Sequence, residues 1–272
     1  MQKLIKSGDI LVNNKTVQPS YLVKLSDEIK LNIPEEEDYN LNPVNLDLEV
    51  VYEDEYLAII NKPKGLVVHP SDSYKDITLI NGLIYQFGSL SNQKEPFRQG
   101  IVHRLDKDTS GLLIISKDDI THQKLKTMFQ RRKITKYYLA IVYHEFKEFS
   151  GIIDKAIVRH PKRRQHMTTS LTGRRAITKF EVISQHNGFA YLKLDLITGR
   201  THQIRVHMQS INHPILGDPI YGPKKIYGST GPYLHAYRLI FTHPITKKEL
   251  DIKIKPPFEF NKELINRQLI SE

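Results

Sequence analysis

Residues 100–116, GIVHRLDKDTSGLLIIS, place several ionisable side chains between two apolar stretches. Five of them fall within six consecutive positions: His103, Arg104, Asp106, Lys107 and Asp108. A carboxylate such as that of Asp106 can act as a nucleophile or a base, and a neighbouring guanidinium can bind an anion. A solvent-exposed polar hairpin, in which Gly111 supplies an unusual backbone angle, explains this segment equally well when it is taken alone.

Two other motifs share part of this stretch. DKDTSG begins like a calcium-binding loop, with Asp106, Asp108 and Ser110, but Lys117 occupies the twelfth position, where a bidentate glutamate is needed. An EF-hand is therefore excluded. Two aspartates two positions apart also weakly resemble an aspartyl phosphatase motif, although the preceding VHRL is not the apolar strand that this motif follows.

A second basic cluster lies at residues 198–209, TGRTHQIRVHMQ. Its two histidines, His202 and His207, are five positions apart, which suits neither one face of a helix nor the i, i+4 pairing of a zinc site. The cluster therefore predicts no metal site, and we interpret the histidines as satisfying local backbone groups. Arg205 is different, because a guanidinium beside a carboxylate keeps it ionised and oriented, so Arg205 is the candidate partner of Asp106.

Composition limits the class of protein. The chain has 272 residues, 39% of them hydrophobic, so it can bury a substantial core. It has no cysteine, which excludes disulfides, thiolate catalysis and Cys-based zinc sites. The formal charge of +10 favours an anionic partner. The N-terminal MQKLIKSGD is not a signal peptide, and no apolar run approaches the ~18 residues of a membrane span, so a cytoplasmic location is predicted.

Charge divides the chain into parts. Between Leu31 and Asn61 there are nine acidic residues and no Lys or Arg, whereas 35 basic and 18 acidic residues follow from Lys62 onward. The acidic PEEEDYNLNPVN, with its two prolines, predicts a linker. The predicted divisions are residues 1–33, a linker at 34–45 and a body at 46–272. Basic clusters lie in the body at residues 131–133, 159, 162–164, 174–175 and 224–225.

Apolar periodicity predicts a strand-rich α+β body. Short β-rich segments recur along it, several with alternating polarity, at residues 48–63, 111–116, 136–144, 177–185, 190–197, 238–244 and 249–255. Helices are predicted at residues 78–88, 118–133 and 201–211, and Asp118 or Asp119 is the expected N-cap of the second. These elements must bring the two charged clusters together if they form one site.

GIVHRLDKDTSGLLIISK resembles the signature of the RluA-type pseudouridine synthases. Further segments are similar to that family in the same order: NKPKGLVVHP (61–70), KYYLAIV (136–142), GRTHQIRVHM (199–208), HPILGDPIYG (213–222) and LHAYRLIFTHP (234–244). The resemblance covers roughly residues 45–258. It implies the pseudouridine synthase fold, a mixed and mostly antiparallel sheet flanked by helices, and an enzyme that isomerises uridine in RNA without a cofactor or metal.

The resemblance also implies roles for five residues. Asp106 is the catalytic aspartate, and Arg104 is the arginine that enters the RNA helix as the uridine leaves it. Tyr138 packs on the target base, Ile204 forms an apolar wall of the uracil pocket, and Arg205 pairs with Asp106. One carboxylate bound to an arginine suits an isomerase, since a hydrolytic glycosidase needs a second carboxyl group and a placed water.

The N-terminal residues 1–33 look like the second part of an S4 RNA-binding domain: a basic helix, a turn at Gly8-Asp9, the strand ILVNN and a final strand EIKLNI. This segment favours 23S ribosomal RNA as the substrate and partner of a monomeric enzyme. A disordered basic tail, a non-catalytic RNA-binding or ribosome-assembly factor, and the same enzyme acting on tRNA are the alternatives.

Overall fold

The computed structural model describes residues 2–32, 39, 41–71, 74–88, 90–91, 96–163, 165–223 and 231–271. The chain forms two compact units, Met1–Tyr39 and Asn40–Glu272. Most of the predicted acidic linker, residues 34–38 and 40, lies outside the described residues, as do Arg164 and the basic pair at 224–225. The division of the chain at residues 34–45 therefore stays a prediction.

The N-terminal unit contains one short helix and a small antiparallel sheet. Its elements are α1 (Gln2–Ser7), β1 (Ile10–Val12), β2 (Lys15–Thr16) and β3 (Ile29–Leu31). The strands lie in the order β2-β1-β3. Helix α1 ends at the predicted turn, where Gly8 has φ 83° and the amide of Asp9 donates to the carbonyl of Leu4 at 2.8 Å. The helix, turn and strands predicted here are confirmed.

The second unit carries the remaining elements. Its strands are β4 (Glu49–Glu53), β5 (Leu57–Lys62), β6 (Ser110–Ser116), β7 (Thr135–Tyr143), β8 (Ser150–Asp154), β9 (Ile157–Arg159), β10 (Met167–Thr169), β11 (Ile177–His186), β12 (Phe189–Leu196), β13 (Leu234–Thr242) and β14 (Glu249–Lys253). Its helices are α2 (Leu79–Phe87), α3 (Asp119–Gln130), α4 (Gln203–Ser210) and α5 (Phe258–Asn266), with a 3-10 helix at Pro96–Arg98.

Nine of these strands form one sheet in the described residues, in the order β4-β5-β6-β13-β7-β12-β11-β8, with β14 also paired to β13. The β6–β13 pair is parallel, and the other pairs in this sheet are antiparallel. Strands β9 and β10 form a separate hairpin. The predicted α+β class with a mixed, mostly antiparallel sheet is confirmed.

Helices cover both faces of the sheet because its central strands are apolar on both sides. Every residue of β6 is buried. Leu113 and Ile115 pack in a cluster with residues of α2 and α4, whereas Leu112 and Ile114 pack in another that includes Leu125 of α3. The alternation of side chains along a strand sends successive residues to opposite faces. The core therefore lies on both sides of the strand that follows the charged stretch.

The charged stretch is a loop held at both ends by this core. Before the loop, Ile101 pairs with Ile115, and the carbonyl of Gly100 accepts from the amide of Ser116 at 2.9 Å. After it, Gly111 has φ 116°, and a Cβ at this position would lie 2.3 Å from the carbonyl oxygen of Ala236. The hairpin-like loop and the unusual backbone angle of Gly111 were both predicted, and both are confirmed.

Sequence periodicity missed several elements of the fold. Helix α5, the edge strand β8 and the β9–β10 hairpin were not predicted, although Phe260 and Leu264 of α5 are buried four positions apart. Of the two candidate N-caps of α3, Asp118 takes that position and accepts from the amide of Thr121 at 2.8 Å. None of the helices in the described residues is long and apolar enough to cross a membrane.

Candidate active site

The two charged clusters meet in one cavity of about 420 Å³ at the start of β6 and the start of α4. All five residues predicted for the site line it: Arg104, Asp106, Tyr138, Ile204 and Arg205. Asp106 comes from the loop before β6, Tyr138 from β7, and Ile204 and Arg205 from the first turn of α4. The sheet and one helix thus bring together residues that are about a hundred positions apart in the chain.

Asp106 faces the guanidinium of Arg205. The Nη1 atom of Arg205 lies 3.3 Å from Oδ2 of Asp106, whose side chain is 20% exposed to the cavity while that of Arg205 is 6% exposed. A cation in this position stabilises the carboxylate anion and fixes its orientation. The predicted pairing of these two residues is present in the structure, and their catalytic roles stay predictions.

Arg205 is itself clamped by a second carboxylate, that of Asp218. The Nε and Nη2 atoms donate to the two oxygens of Asp218 at 2.7 and 2.8 Å, in a bidentate pair whose acidic side chain is fully buried. Burial would lower the pKa of Arg205, but the hydrogen bonds and charge of Asp218, followed by those of Asp106, raise it above its usual value. The guanidinium therefore stays charged with one edge turned to each carboxylate.

Backbone amides hold Asp218 in place. Its Oδ1 atom accepts from the amides of Ile220 and Tyr221 at 2.9 and 3.1 Å, within the turn GDPIYG. Buried charges are stable only when they are paired and fully hydrogen-bonded, and these contacts meet that condition. The chain of contacts from this turn through Arg205 therefore determines where Asp106 lies.

His202 corrects one interpretation made from the sequence. It occupies the N-cap of α4 with φ 55°, but its side chain makes no capping bond. Its Nε2 atom lies 3.9 Å from Oδ2 of Asp106, and its Nδ1 atom bonds the hydroxyl of Tyr221 at 2.8 Å. His202 thus lines the cavity beside Asp106 instead of satisfying backbone groups. A strained non-glycine backbone of this kind is common at functional sites.

His207, in contrast, does satisfy a backbone group, as the sequence suggested. It is fully buried, and its ring nitrogens contact the hydroxyl of Thr178 and the carbonyl of Lys155, both at 2.9 Å. Burial lowers its pKa, so the neutral ring links α4 to its neighbours. The two histidines of one motif therefore have separate tasks, which their spacing did not reveal.

The wall opposite Asp106 is aromatic and aliphatic. Tyr138 is 6% exposed and Ile204 is 4% exposed. Burial raises the pKa of the Tyr138 phenol well above its usual value, and the charge of Asp106 raises it further. The phenol therefore stays protonated near neutral pH and can donate a hydrogen bond. A flat, largely apolar wall suits an aromatic base.

Lys62 supports the backbone of the loop that carries Asp106. It is fully buried, and its ammonium donates to the carbonyls of Pro63, Leu66 and Lys107 at 2.8 to 2.9 Å. Burial lowers its pKa to about 7, whereas the charges of Asp108 and Asp106 raise it. Three carbonyl acceptors use all three N–H donors, which favours the ammonium form. The segment NKPKG thus holds the backbone next to Asp106.

Arg104 and His103 differ in what surrounds them. Arg104 is exposed at the rim of the cavity, where it can reach a bound polymer. Burial lowers the pKa of His103 to about 3, so its Nε2 atom is unprotonated and accepts from the amide of Ile114 at 2.9 Å. Its ring packs on Phe129 with a centroid separation of 4.5 Å. Of these two neighbouring residues, His103 therefore supports the structure and Arg104 is accessible to a ligand.

Substitutions of Tyr138 test whether its hydroxyl takes part in the reaction. We expect Tyr138→Phe to keep its affinity for RNA and to lose roughly 10- to 100-fold in kcat, the worth of one hydrogen bond to a charged group, about 1.5–3 kcal/mol. Tyr138→Ala should lose affinity as well, since the flat wall is removed. Steady-state kinetics of both variants separate kcat from KM. Normal kcat in the phenylalanine variant would restrict Tyr138 to packing on the base.

The lowered pKa of Lys136 predicts that kcat/KM depends on pH. It lines the cavity, and burial lowers its pKa to about 8 while the charge of Asp195 raises it. Above that pH the free enzyme loses this positive charge, so we expect kcat/KM to fall between about pH 7.5 and 9. Lys136→Arg, whose guanidinium stays charged, should move this fall to higher pH. An identical alkaline limb in both proteins would show that another group titrates.

No group of three or more His, Asp or Glu side chains is placed to hold a metal ion in the part of the chain that the structure describes. What the cavity offers is one carboxylate fixed by an arginine, a protonated phenol and apolar walls, in a body of strongly positive charge. These groups can attack or deprotonate a sugar carbon and hold the base that leaves it.

The fold is that of the pseudouridine synthases. The solved structure of human RNA pseudouridylate synthase domain containing 4 is similar, with a TM-score of 0.65 and 26% identity over 81% of this chain and 93% of that one. Human RNA pseudouridylate synthase domain containing 1 shares the fold, with a TM-score of 0.63 and 24% identity over 82% and 87% of the two chains.

Sequence relatives define the family. Residues 56–210 match the model described as RNA pseudouridylate synthase, and residues 1–29 match the S4 domain. The uncharacterised RNA pseudouridine synthase YlyB of Bacillus subtilis is 39% identical over 94% of this chain and 85% of its own length. Ribosomal large subunit pseudouridine synthase D of Escherichia coli is 38% identical over 89% of this chain and 77% of its own. The chain belongs to the RluA-type RNA pseudouridine synthases.

The chain is therefore an RNA pseudouridine synthase, an isomerase that also carries an S4 region for binding RNA. This membership favours the enzyme over the non-catalytic RNA-binding factor that the sequence left open. The resemblance to the family, the fold class and the enzyme class predicted from the sequence are confirmed.

Proposed function

We propose that the chain converts specific uridines of 23S ribosomal RNA to pseudouridine in the cytoplasm, with Asp106 as the catalytic residue. The observation that carries the catalytic role is the carboxylate of Asp106 in the cavity, 3.3 Å from a buried arginine. The ribosomal target is supported by a relative named for the large ribosomal subunit, together with an S4 region in the same chain.

Binding begins with a uridine that leaves the RNA stack. A cavity of about 420 Å³ falls within the range of ligand sites, and a space of this volume cannot hold a duplex. Unstacking a base costs a few kcal/mol, which contacts in the cavity and to phosphates offset. The exposure of Arg104 at the cavity rim supports its proposed role, which is to occupy the space that the uridine vacates.

Two chemical routes start from the same carboxylate. Asp106 attacks C1′ of the ribose and displaces N1 of uracil, or it removes the 2′ hydrogen so that the C1′–N1 bond breaks by elimination. In both routes the uracil turns over and C5 joins C1′, which breaks the Asp106–C1′ bond in the first route and returns the 2′ hydrogen from Asp106 in the second. The C5 proton then leaves, and N1 takes up a proton. Substrate and product are isomers, so no other reactant is consumed.

The neighbours of Asp106 support an isomerisation over a hydrolysis. Arg205 and His202 lie within 3.3 and 3.9 Å of its carboxylate, whereas Asp218 is paired with Arg205 and does not line the cavity. No second carboxyl group therefore lies in the cavity to act as the acid of a glycosidase, within the residues that the structure describes. The apolar walls keep water from intercepting the separated sugar and base.

The target is tested by mapping pseudouridines in cellular RNA. We expect specific 23S sites to disappear when the gene is deleted and to return with the wild-type gene but not with Asp106→Asn. Loss of sites in tRNA alone would assign the enzyme to tRNA and overturn the ribosomal proposal. Return of the 23S sites with the Asn variant would overturn the role of Asp106.

A further inference from the structure

A second cleft, of about 560 Å³, lies between the C-terminal half of α3 and the turn that joins β13 to β14. We call it the lysine cleft. Lys124 and Lys133 line it from the α3 side and Lys247 from the turn, while Met128 and Pro244 provide apolar surface. None of its lining residues lines the active-site cavity.

The charge of the lysine cleft is unbalanced. No acidic residue lines it, although the lining residue His243 contacts the carboxylate of Asp54 at 3.1 Å. Lys124 and Lys133 have no carboxylate within ion-pair distance among the residues that the structure describes. Lys247 uses one donor on the carbonyl of Pro244 at 2.7 Å, which leaves two N–H groups. The C-terminal end of α3 attracts Lys133, but it accounts for neither Lys124 nor Lys247.

Helix α3 connects this cleft to the active site. Met128 and Lys133 line the lysine cleft, whereas Phe129 and Arg132 line the catalytic cavity. Successive residues of a helix point about 100° apart, so one helix end can form a wall of both spaces. A strand that enters the catalytic cavity can therefore continue across the end of α3.

We propose that the lysine cleft is a second RNA site, which binds phosphates of the strand that leads away from the target uridine. Three ammonium groups in a lining that contains no acidic residue complement phosphodiesters, and the apolar surface beside them suits ribose. The cleft thus holds RNA beside the catalytic cavity without contact to the reacting base. The proposal requires only that the enzyme acts on RNA, not that the RNA is 23S.

Charge reversal tests the proposal. We compare Lys124→Glu/Lys133→Glu/Lys247→Glu with a control of equal charge change at exposed lysines elsewhere, Lys147→Glu/Lys179→Glu/Lys262→Glu. Each triple is combined with Asp106→Asn, and affinity for 23S and tRNA transcripts is measured by filter binding across a salt series. We expect the cleft variant to bind both RNAs at least tenfold more weakly than the control. The slope of the logarithm of the binding constant against the logarithm of the salt concentration should also be smaller in magnitude by about 2–3.

Lysine acetylation of the unaltered enzyme gives a measurement that does not depend on variant folding. Bound RNA should protect Lys124, Lys133 and Lys247 from the reagent, and should leave Lys147 and Lys262 as reactive as in the free enzyme. Equal affinities and slopes for the two triples, or no protection of the cleft lysines, would overturn the proposal. Loss of modification in cells with unchanged RNA affinity would also overturn it, since a protein partner would then occupy the cleft.

Discussion

Asp106→Asn is expected to abolish pseudouridine formation, with turnover more than about 10⁴-fold below that of the native enzyme, while RNA affinity stays within a few fold. An amide of the same shape can neither attack C1′ nor accept the 2′ proton. Arg205 keeps its two bonds to Asp218 at 2.7 and 2.8 Å, so the cavity should persist in the variant. Affinity should persist because phosphate contacts are distributed over the basic body.

Tritium release from RNA that carries 5-tritiated uridine measures this turnover, and filter binding measures affinity. Asp119→Asn is the control, since it removes one carboxylate from an exposed position at the start of α3 and should behave like the native enzyme. Residual release near the native rate in the Asp106 variant would remove this residue from the chemistry. A large loss of affinity would instead give Asp106 a part in RNA binding.

Asp218→Asn is expected to reduce kcat by at least roughly a hundredfold, although Asp218 does not line the cavity. It should also lower the free energy of unfolding by about 3–5 kcal/mol, because it leaves the guanidinium of Arg205 buried without its strongest partner. An asparagine Oδ1 can still accept from the amides of Ile220 and Tyr221. The substitution therefore isolates the charge, and KM should change little.

A double variant separates stability from positioning. Arg205→Met/Asp218→Leu removes both buried charges, so we expect the free energy of unfolding to recover much of the loss while kcat stays low. Asp251→Asn is the control, since Asp251 forms a bidentate pair with Arg238 at 2.6 and 2.8 Å but is half exposed. It should leave turnover and stability close to native. Native kcat in Asp218→Asn would show that Arg205 needs no clamp.

The sequence predicted the core of the site because its residues interrupt apolar segments. Arg104 and Asp106 stand between the apolar pair at 101–102 and a strand whose seven residues are all buried. Burial of that strand leaves its preceding loop at the end of the sheet, where charged side chains can meet a cavity. Arg205 was predicted to be the partner of Asp106 on chemical grounds, since an isolated buried carboxylate needs a cation. The catalytic roles of these residues stay predictions until the variants are measured.

Other parts of the site depended on how distant segments pack. Asp218 reads as an ordinary turn residue in GDPIYG, and its clamp on Arg205 exists only because the turn folds back onto α4. Lys62 reads as a surface lysine, yet its ammonium is buried against the carbonyl of Lys107, 45 residues away. His202 was interpreted as satisfying local backbone groups, but its backbone is left-handed and its ring lies beside Asp106. No local pattern carries this information, because each contact joins separate elements.

The sequence by itself determined the fold class, the family and the group of residues that form the site. Strand and helix periods follow from local side-chain alternation, and the family motifs lie in contiguous segments, so both can be predicted without coordinates. Only the tertiary structure showed that both carboxylates contact Arg205, and that Asp106 is open to the cavity whereas Asp218 is closed off from it. Asp106 and Asp218 are both aspartates in polar turns, and the difference between them is burial: one is 20% exposed to the cavity and the other is fully buried. Burial is set by packing between distant segments, and it decides whether a charge can act on a substrate or must be paired within the protein.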